Sequence, residues 1–141
     1  MKNQIAKTTI LSILLLSSDL LSKYFFYNKN LLSTSDFITP VFNLWISRWI
    51  QANIFMVIVI SIIALFIFTY LFKIKHIWWV IFSILVAWTL GNLADRVFLW
   101  WVRDFISISA FPVFNVADVL LNIWIILILV SEFFQNKATK H

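Results

Sequence analysis

The chain has 141 residues, of which 62% are hydrophobic and 12% charged, with a mean hydropathy of +0.95. A soluble domain of this size is too rich in surface to hide so much apolar area, so the composition excludes an ordinary soluble enzyme and indicates an integral membrane protein. The absence of Cys excludes a disulfide framework and a thiolate metal site, and the net charge of +5 is scattered among apolar runs, so no nucleic-acid partner is expected.

Thr8 to Tyr27 forms a first apolar span, interrupted by Asp19 and Lys23. Lys2 and Lys7 ahead of it resemble the start of a signal peptide, but no small-residue cleavage site follows, which favours a retained helix. Asn28 to Asn53 is a mixed polar and apolar connection expected to lie at the membrane interface. Ile54 to Phe72 and Ile77 to Ala94 are uncharged runs of spanning length, joined by the short basic turn Lys73-Ile74-Lys75-His76. Phe105 to Phe114 is a short connection containing Pro112, which cannot continue a helix. Asn115 to Phe134 is a fourth span, followed by Lys137 and Lys140.

These runs predict an all-α integral membrane protein: one domain over residues 1–141 with four transmembrane helices. If the helices alternate, Lys2, Lys7, Lys73, Lys75, Lys137 and Lys140 fall on one side, which places both termini in the cytoplasm and the 28–53 connection outside. All five Asp then lie in the outer half, and only Glu132 is near the cytoplasm.

Ionisable groups in membrane helices cost roughly 2.5–3.5 kcal/mol each, so they pair, line wet cavities or do chemistry. Asp19 and Lys23 are four apart and share a helix face, where they can pair. Asn92, Asp95 and Arg96 share a face at i, i+3 and i+4, and Asn115 and Asp118 stand at i, i+3. Taken singly, each has a bland explanation: an ion pair at a helix end, a helix cap or a headgroup contact. A polar pocket shared by three helices explains them together. Asp104 and Asp118 flank the Pro112 connection, which lets two carboxylates meet. Two close carboxylates share a proton across neutral pH, so one can take a proton from water while the other polarises a carbonyl. His76 and His141 lie far from this cluster, so neither a metal site nor a Ser-His-Asp arrangement is inferred. The rival readings are a small ion-coupled transporter and a non-catalytic assembly subunit.

The motifs together resemble the lipoprotein signal peptidase family. Asp19-Leu-Leu-Ser-Lys23 is similar to D-x-x-[ST]-K, and Asn43-Leu-Trp-Ile-Ser47 to N-x-G-[AI]-[AS]. Gly91-Asn-Leu-Ala-Asp-Arg96 matches G-N-x-x-D-R, Val102-Arg-Asp-Phe105 matches V-x-D-F, and Phe114-Asn-Val-Ala-Asp118 matches F-N-x-A-D. The resemblance implies a cofactor-free aspartic endopeptidase of the bacterial cytoplasmic membrane, acting as a monomer among membrane lipids. Its active site would face outward, and its substrate would be a diacylglyceryl-modified prolipoprotein cut before the lipidated cysteine. By the same resemblance Asp104 and Asp118 form the catalytic pair. Asn43, Asn92, Asp95, Arg96 and Asn115 shape the pocket, and Asp19 and Lys23 support it. Arg48 and Arg103 depart from the family pattern and are expected to reach lipid headgroups.

Other departures share one character. Trp45, Trp49, Trp88, Trp100 and Trp124 stand where the family usually or often has Gly, or Gly or Ser at position 49. The chain holds eight Trp and one Gly, and its residue bias suggests an AT-rich gene. A gene whose UGA codons specify Gly, translated by a table that reads UGA as Trp, produces this pattern; the alternative is genuine Trp anchoring the membrane interface, which suits Trp78 and Trp79 better than Trp88 or Trp124.

Overall fold

The computed structural model describes residues 2–29, 36–43, 45–47, 50–51, 53–74, 77–109 and 111–138. Four helices carry the fold: α1 (Lys2–Ser22), α2 (Ile54–Lys73), α3 (Trp79–Leu99) and α4 (Val116–Ala138). A π-helical turn, Lys23–Asn28, extends α1. Short strands β1 (Ile38–Asn43), β2 (Trp45–Ser47) and β3 (Ile50–Gln51) precede α2, and β4 (Val102–Ile106) lies between α3 and α4.

Among the described residues, three segments are long and apolar enough to cross a membrane: Asn3–Asn28, Ile54–Lys73 and Trp79–Leu99. The second has a mean hydropathy of 2.9 and leaves Phe55, Met56, Phe66 and Tyr70 exposed, as expected of a lipid-facing helix. In α4 the stretch Val116–Leu127 is apolar but shorter.

Helix α3 is the central element, and small residues let its neighbours approach. The Ser83 hydroxyl donates to Thr8 O of α1 at 3.2 Å. Two turns further on, Gly91 lies so close to Asp19 that an added Cβ would collide with the Asp19 carboxylate. The single glycine is therefore required by close packing. Ile84 and Ala87 of α3 and Leu120 of α4 form the buried apolar centre, with Leu15, Leu16, Val80 and Trp124 packed against it.

The all-α expectation is corrected by two small sheets. β1 and β4 pair antiparallel, with Val41 opposite Asp104 and Asn43 opposite Val102; β2 and β3 form a separate pair. The interfacial connection is thus partly a strand laid against the segment that carries Asp104. The third helix continues to Leu99, three residues past Arg96, and the Asn92 and Asp95 side chains on its polar face meet Asp118 and Arg103.

α3 stops at Trp100, whose φ of 72° is the only positive φ among the described residues. Its amide donates to Arg96 O at 3.2 Å, the closure expected of a glycine after a helix. For a residue with a Cβ this conformation costs roughly 1–2 kcal/mol. Arg48, Trp49, Lys75, His76 and Lys140 lie outside the described residues.

Candidate active site

The site lies where the ends of α1 and α3, the start of α4 and the β1–β4 pair converge. Folding first brings the two expected acids together. After β4 the chain turns through Pro112 and comes back, so Phe114 forms a bridge with Ile106. The Phe105 and Ile106 amides both donate to Phe114 O, at 3.1 and 2.8 Å. This return sets Asn115 and Asp118 beside Asp104.

Asn115 then serves two purposes. Its Oδ1 accepts from the Asp118 amide at 3.1 Å, and its own amide donates to Asp118 Oδ2 at 3.3 Å. That reciprocal pair is a capping box opening α4. The Asn115 Nδ2 meanwhile donates to Asp104 Oδ1 at 2.6 Å and to Asn92 Oδ1 at 3.1 Å. One amide side chain therefore joins both acids and α3. The cap, the bland reading of Asn115, and the pocket reading are both satisfied.

Asp104 is buried, and its second oxygen accepts from Asn43 Nδ2 at 2.7 Å across the β1–β4 pair. Burial and the neighbouring Asp118 charge push its pKa up to about 7, against the lowering effect of the Asn43 and Asn115 hydrogen bonds and the Lys23 charge. Asp118 faces a cavity of about 770 Å³. Its Oδ1 accepts from Asn92 Nδ2 at 3.2 Å and from Trp88 Nε1 at 3.3 Å. Asn43, Asn92 and Arg96 also line the cavity, and Val57, Ile60, Ile108, Phe111, Val113 and Ile126 supply apolar walls. The Arg96 Nη1 donates to Asn92 O at 3.3 Å, which holds the guanidinium at the cavity.

Behind the acids lies a buried chain of alternating charges. Lys23 Nζ is 2.8 Å from Asp19 Oδ2 and 3.2 Å from Asp95 Oδ2. Asp95 Oδ1 is 2.7 Å from Arg103 Nη2. Lys23 also donates to Gly91 O at 3.3 Å and to Asn92 Oδ1 at 3.2 Å. Because an ammonium only donates, it fixes the orientation of the Asn92 amide, whose Nδ2 must then face Asp118. Asp19 Oδ1 accepts from the Ala117 amide at 2.8 Å, tying α1 to the open N-terminal end of α4.

Two expectations change here. Arg103 is not a headgroup anchor: its amide, Nε and Nη2 all donate to Asp95, and Nη1 donates to Asn28 Oδ1. Its partner is on the preceding helix, and the turn at Trp100 that brings them together is invisible in residue spacing. Asp95 is itself buried between Lys23 and Arg103, so it holds the pocket's frame. Among the cavity residues that the sequence reading did not assign to the pocket is Trp88. Trp88 stands four before Asn92, on the same α3 face, and that spacing was legible.

The profile of the family described as Signal peptidase (SPase) II matches residues 11–134. This chain belongs to that family. A lipoprotein signal peptidase of Staphylococcus carnosus is 34% identical over 96 residues, covering 64% of this chain and 60% of that relative. One from Dehalococcoides mccartyi is 45% identical over 53 residues, covering 36% of this chain and 33% of the relative. The matched stretch is thus less than two thirds of the length of either. A bacterial membrane enzyme solved by the in meso method at 2.3 Å is 26% identical, with a TM-score of 0.79 over 97% of this chain and 93% of that one. A second, solved by the same method at 1.9 Å, is 29% identical, with a TM-score of 0.73 over 90% and 92% of the two chains. The signal peptidase II match thus spans every helix that carries a candidate site residue.

Proposed function

We infer that the chain is a lipoprotein signal peptidase: an aspartic endopeptidase that removes the signal peptide of diacylglyceryl-modified prolipoproteins, cutting before the lipidated cysteine. The observation that carries this is the pair Asp104 and Asp118, joined through Asn115 beside an apolar-walled cavity in a chain of that family. Asp104, with its pKa near 7, holds the shared proton at neutrality. Asp118 takes a proton from water as the oxygen attacks the scissile carbonyl carbon, and the Asp104 proton passes to the carbonyl oxygen. As the resulting diol collapses and its C–N bond breaks, one diol hydroxyl returns its proton to Asp104 and the leaving nitrogen takes the proton held by Asp118. Asn43 and Asn92 hold the two carboxylates, and Arg96 receives substrate backbone carbonyls.

The apolar walls suit a substrate that arrives with acyl chains. The site would face outward in the bacterial cytoplasmic membrane, with four spanning helices, cytoplasmic termini and a single monomeric domain over residues 1–141. The acids gather at one end of the helices, which argues against a carrier with its acid at mid-height. Mass spectrometry of products from diacylglyceryl-modified and unmodified prolipoprotein tests the substrate. Cleavage before the cysteine of the modified form alone is expected; equal cleavage of both, or a cut elsewhere, contradicts the assignment.

A further inference from the structure

Three of the tryptophans sit where the surroundings suit a residue without a side chain, and each shows it differently. At Trp100 the sign is in the backbone. Its φ of 72° lies in the left-handed region, which favours glycine because a Cβ meets the carbonyl oxygen there. The residue is 64% exposed within the protein, so few protein contacts offset that strain. At Trp124 the sign is a polar atom. The ring packs beside Ile84, Ala87 and Leu120, and Nε1 is shut from the surface with no acceptor among the described residues. At Trp88 the sign is in the site. The ring lines the cavity and Nε1 donates to Asp118 Oδ1, so it blocks the oxygen that would meet water.

Drift does not account for one large residue at three such places, whereas a single cause does: a UGA codon that specifies glycine, read as tryptophan. Composition agrees, with one Gly in 141 residues where about 7% is usual. We propose that the functional form of this chain carries glycine at positions 88, 100 and 124, and that residue 88 sets the depth of the cavity against Asp118. Only the part concerning residue 88 rests on the proteolytic reading. With the indole gone, Asp118 keeps Asn92 Nδ2 on Oδ1 and the Asn115 amide on Oδ2, and Oδ1 opens to the cavity.

The gene and the native protein decide first. UGA at all three codons, with an intact mass of protein from the source organism lower by one Trp-to-Gly difference for every UGA codon in the gene, is expected. UGG codons, or the mass of the chain as written, overturn the proposal. Recombinant protein then tests the consequence. The combined Trp88→Gly, Trp100→Gly and Trp124→Gly variant should melt higher in detergent than the chain as written, and a lower melting temperature counts against it. Trp88→Gly alone should raise kcat/KM for a diacylglyceryl-modified prolipoprotein at least tenfold. Trp88→Phe keeps the bulk and removes the donor, so equal recovery in that variant overturns the claim about depth. If native mass shows glycine and neither form cuts, the proteolytic reading fails and the glycine assignment stands.

Discussion

At the residue scale, the site depends on a few side chains that each meet two demands. Asp104 must be deprived of water to hold a proton near neutrality, yet it accepts two amide hydrogen bonds that favour its ionised form. Activity should therefore fall as pH rises through about 7, where the dyad loses its proton donor. Asn43→Ala removes one bond that stabilises the ionised form, so the folded pKa rises and the alkaline limb should move to higher pH. A pH profile of kcat/KM checks this, and a shift to lower pH would refute it. Lys23 is the one cation between Asp19 and Asp95, and all three are buried. Lys23→Met should cost about 3–5 kcal/mol, because it leaves the buried Asp19 without its cation and facing Asp95, which keeps only Arg103. Thermal melting in detergent reads the loss; an unchanged melting temperature would mean the buried charges are not coupled. The Asp19–Lys23 pair was legible in the sequence because both residues lie on one helix at i, i+4. Arg103 was not, because its eight-residue separation from Asp95 crosses a helix end, a left-handed residue and a strand start.

At the element scale, the apolar runs that form α1, α2 and α3 were legible because membrane-spanning length needs sustained hydrophobic sequence, and the fourth run also forms a helix, α4. Their ends were less so. α3 runs on past Arg96 to Leu99 and stops at the left-handed Trp100, which residue spacing does not show. The β1–β4 pair was not legible at all. Its strands are short and about sixty residues apart in sequence, and their pairing is set by the bundle that holds them. Yet that pair carries Asn43 to Asp104. The start of α4 shows how a cap and a site can share residues. Ser at position 115 would still cap the helix but would lack the Nδ2 that reaches Asp104 and Asn92. Asn115→Ser should leave the melting temperature near the parent's and lower kcat roughly tenfold or more, the weight of a hydrogen bond to a charged group. A parallel loss of stability and activity would assign Asn115 to the cap alone.

At the scale of the whole molecule, Lys7 and Lys73 lie at helix ends away from the site, whereas Asp19, Asp95, Asp104 and Asp118 gather at it with Lys23, Arg96 and Arg103; the first group of lysines sets the proposed orientation. Lys73 closes α2, and Ser109 lies in the connection after β4. The chain has no Cys, so single cysteines report orientation cleanly. In whole cells, a membrane-impermeant maleimide should label Ser109→Cys and spare Lys73→Cys; the reverse pattern would invert the topology. The family was legible from five short motifs in order, whereas the burial that tunes Asp104 emerges only when α1, α3, β4 and α4 close around it. The central claim is that two carboxylates activate water together. It is tested by single-turnover cleavage of a diacylglyceryl-modified prolipoprotein, comparing Asp104→Asn and Asp118→Asn with their parent, both in the chain as written and with Trp88→Gly, Trp100→Gly and Trp124→Gly added. The account expects cutting before the lipidated cysteine by the parent and a loss of about 10²–10⁴-fold or more in each variant; full activity in either variant would contradict it.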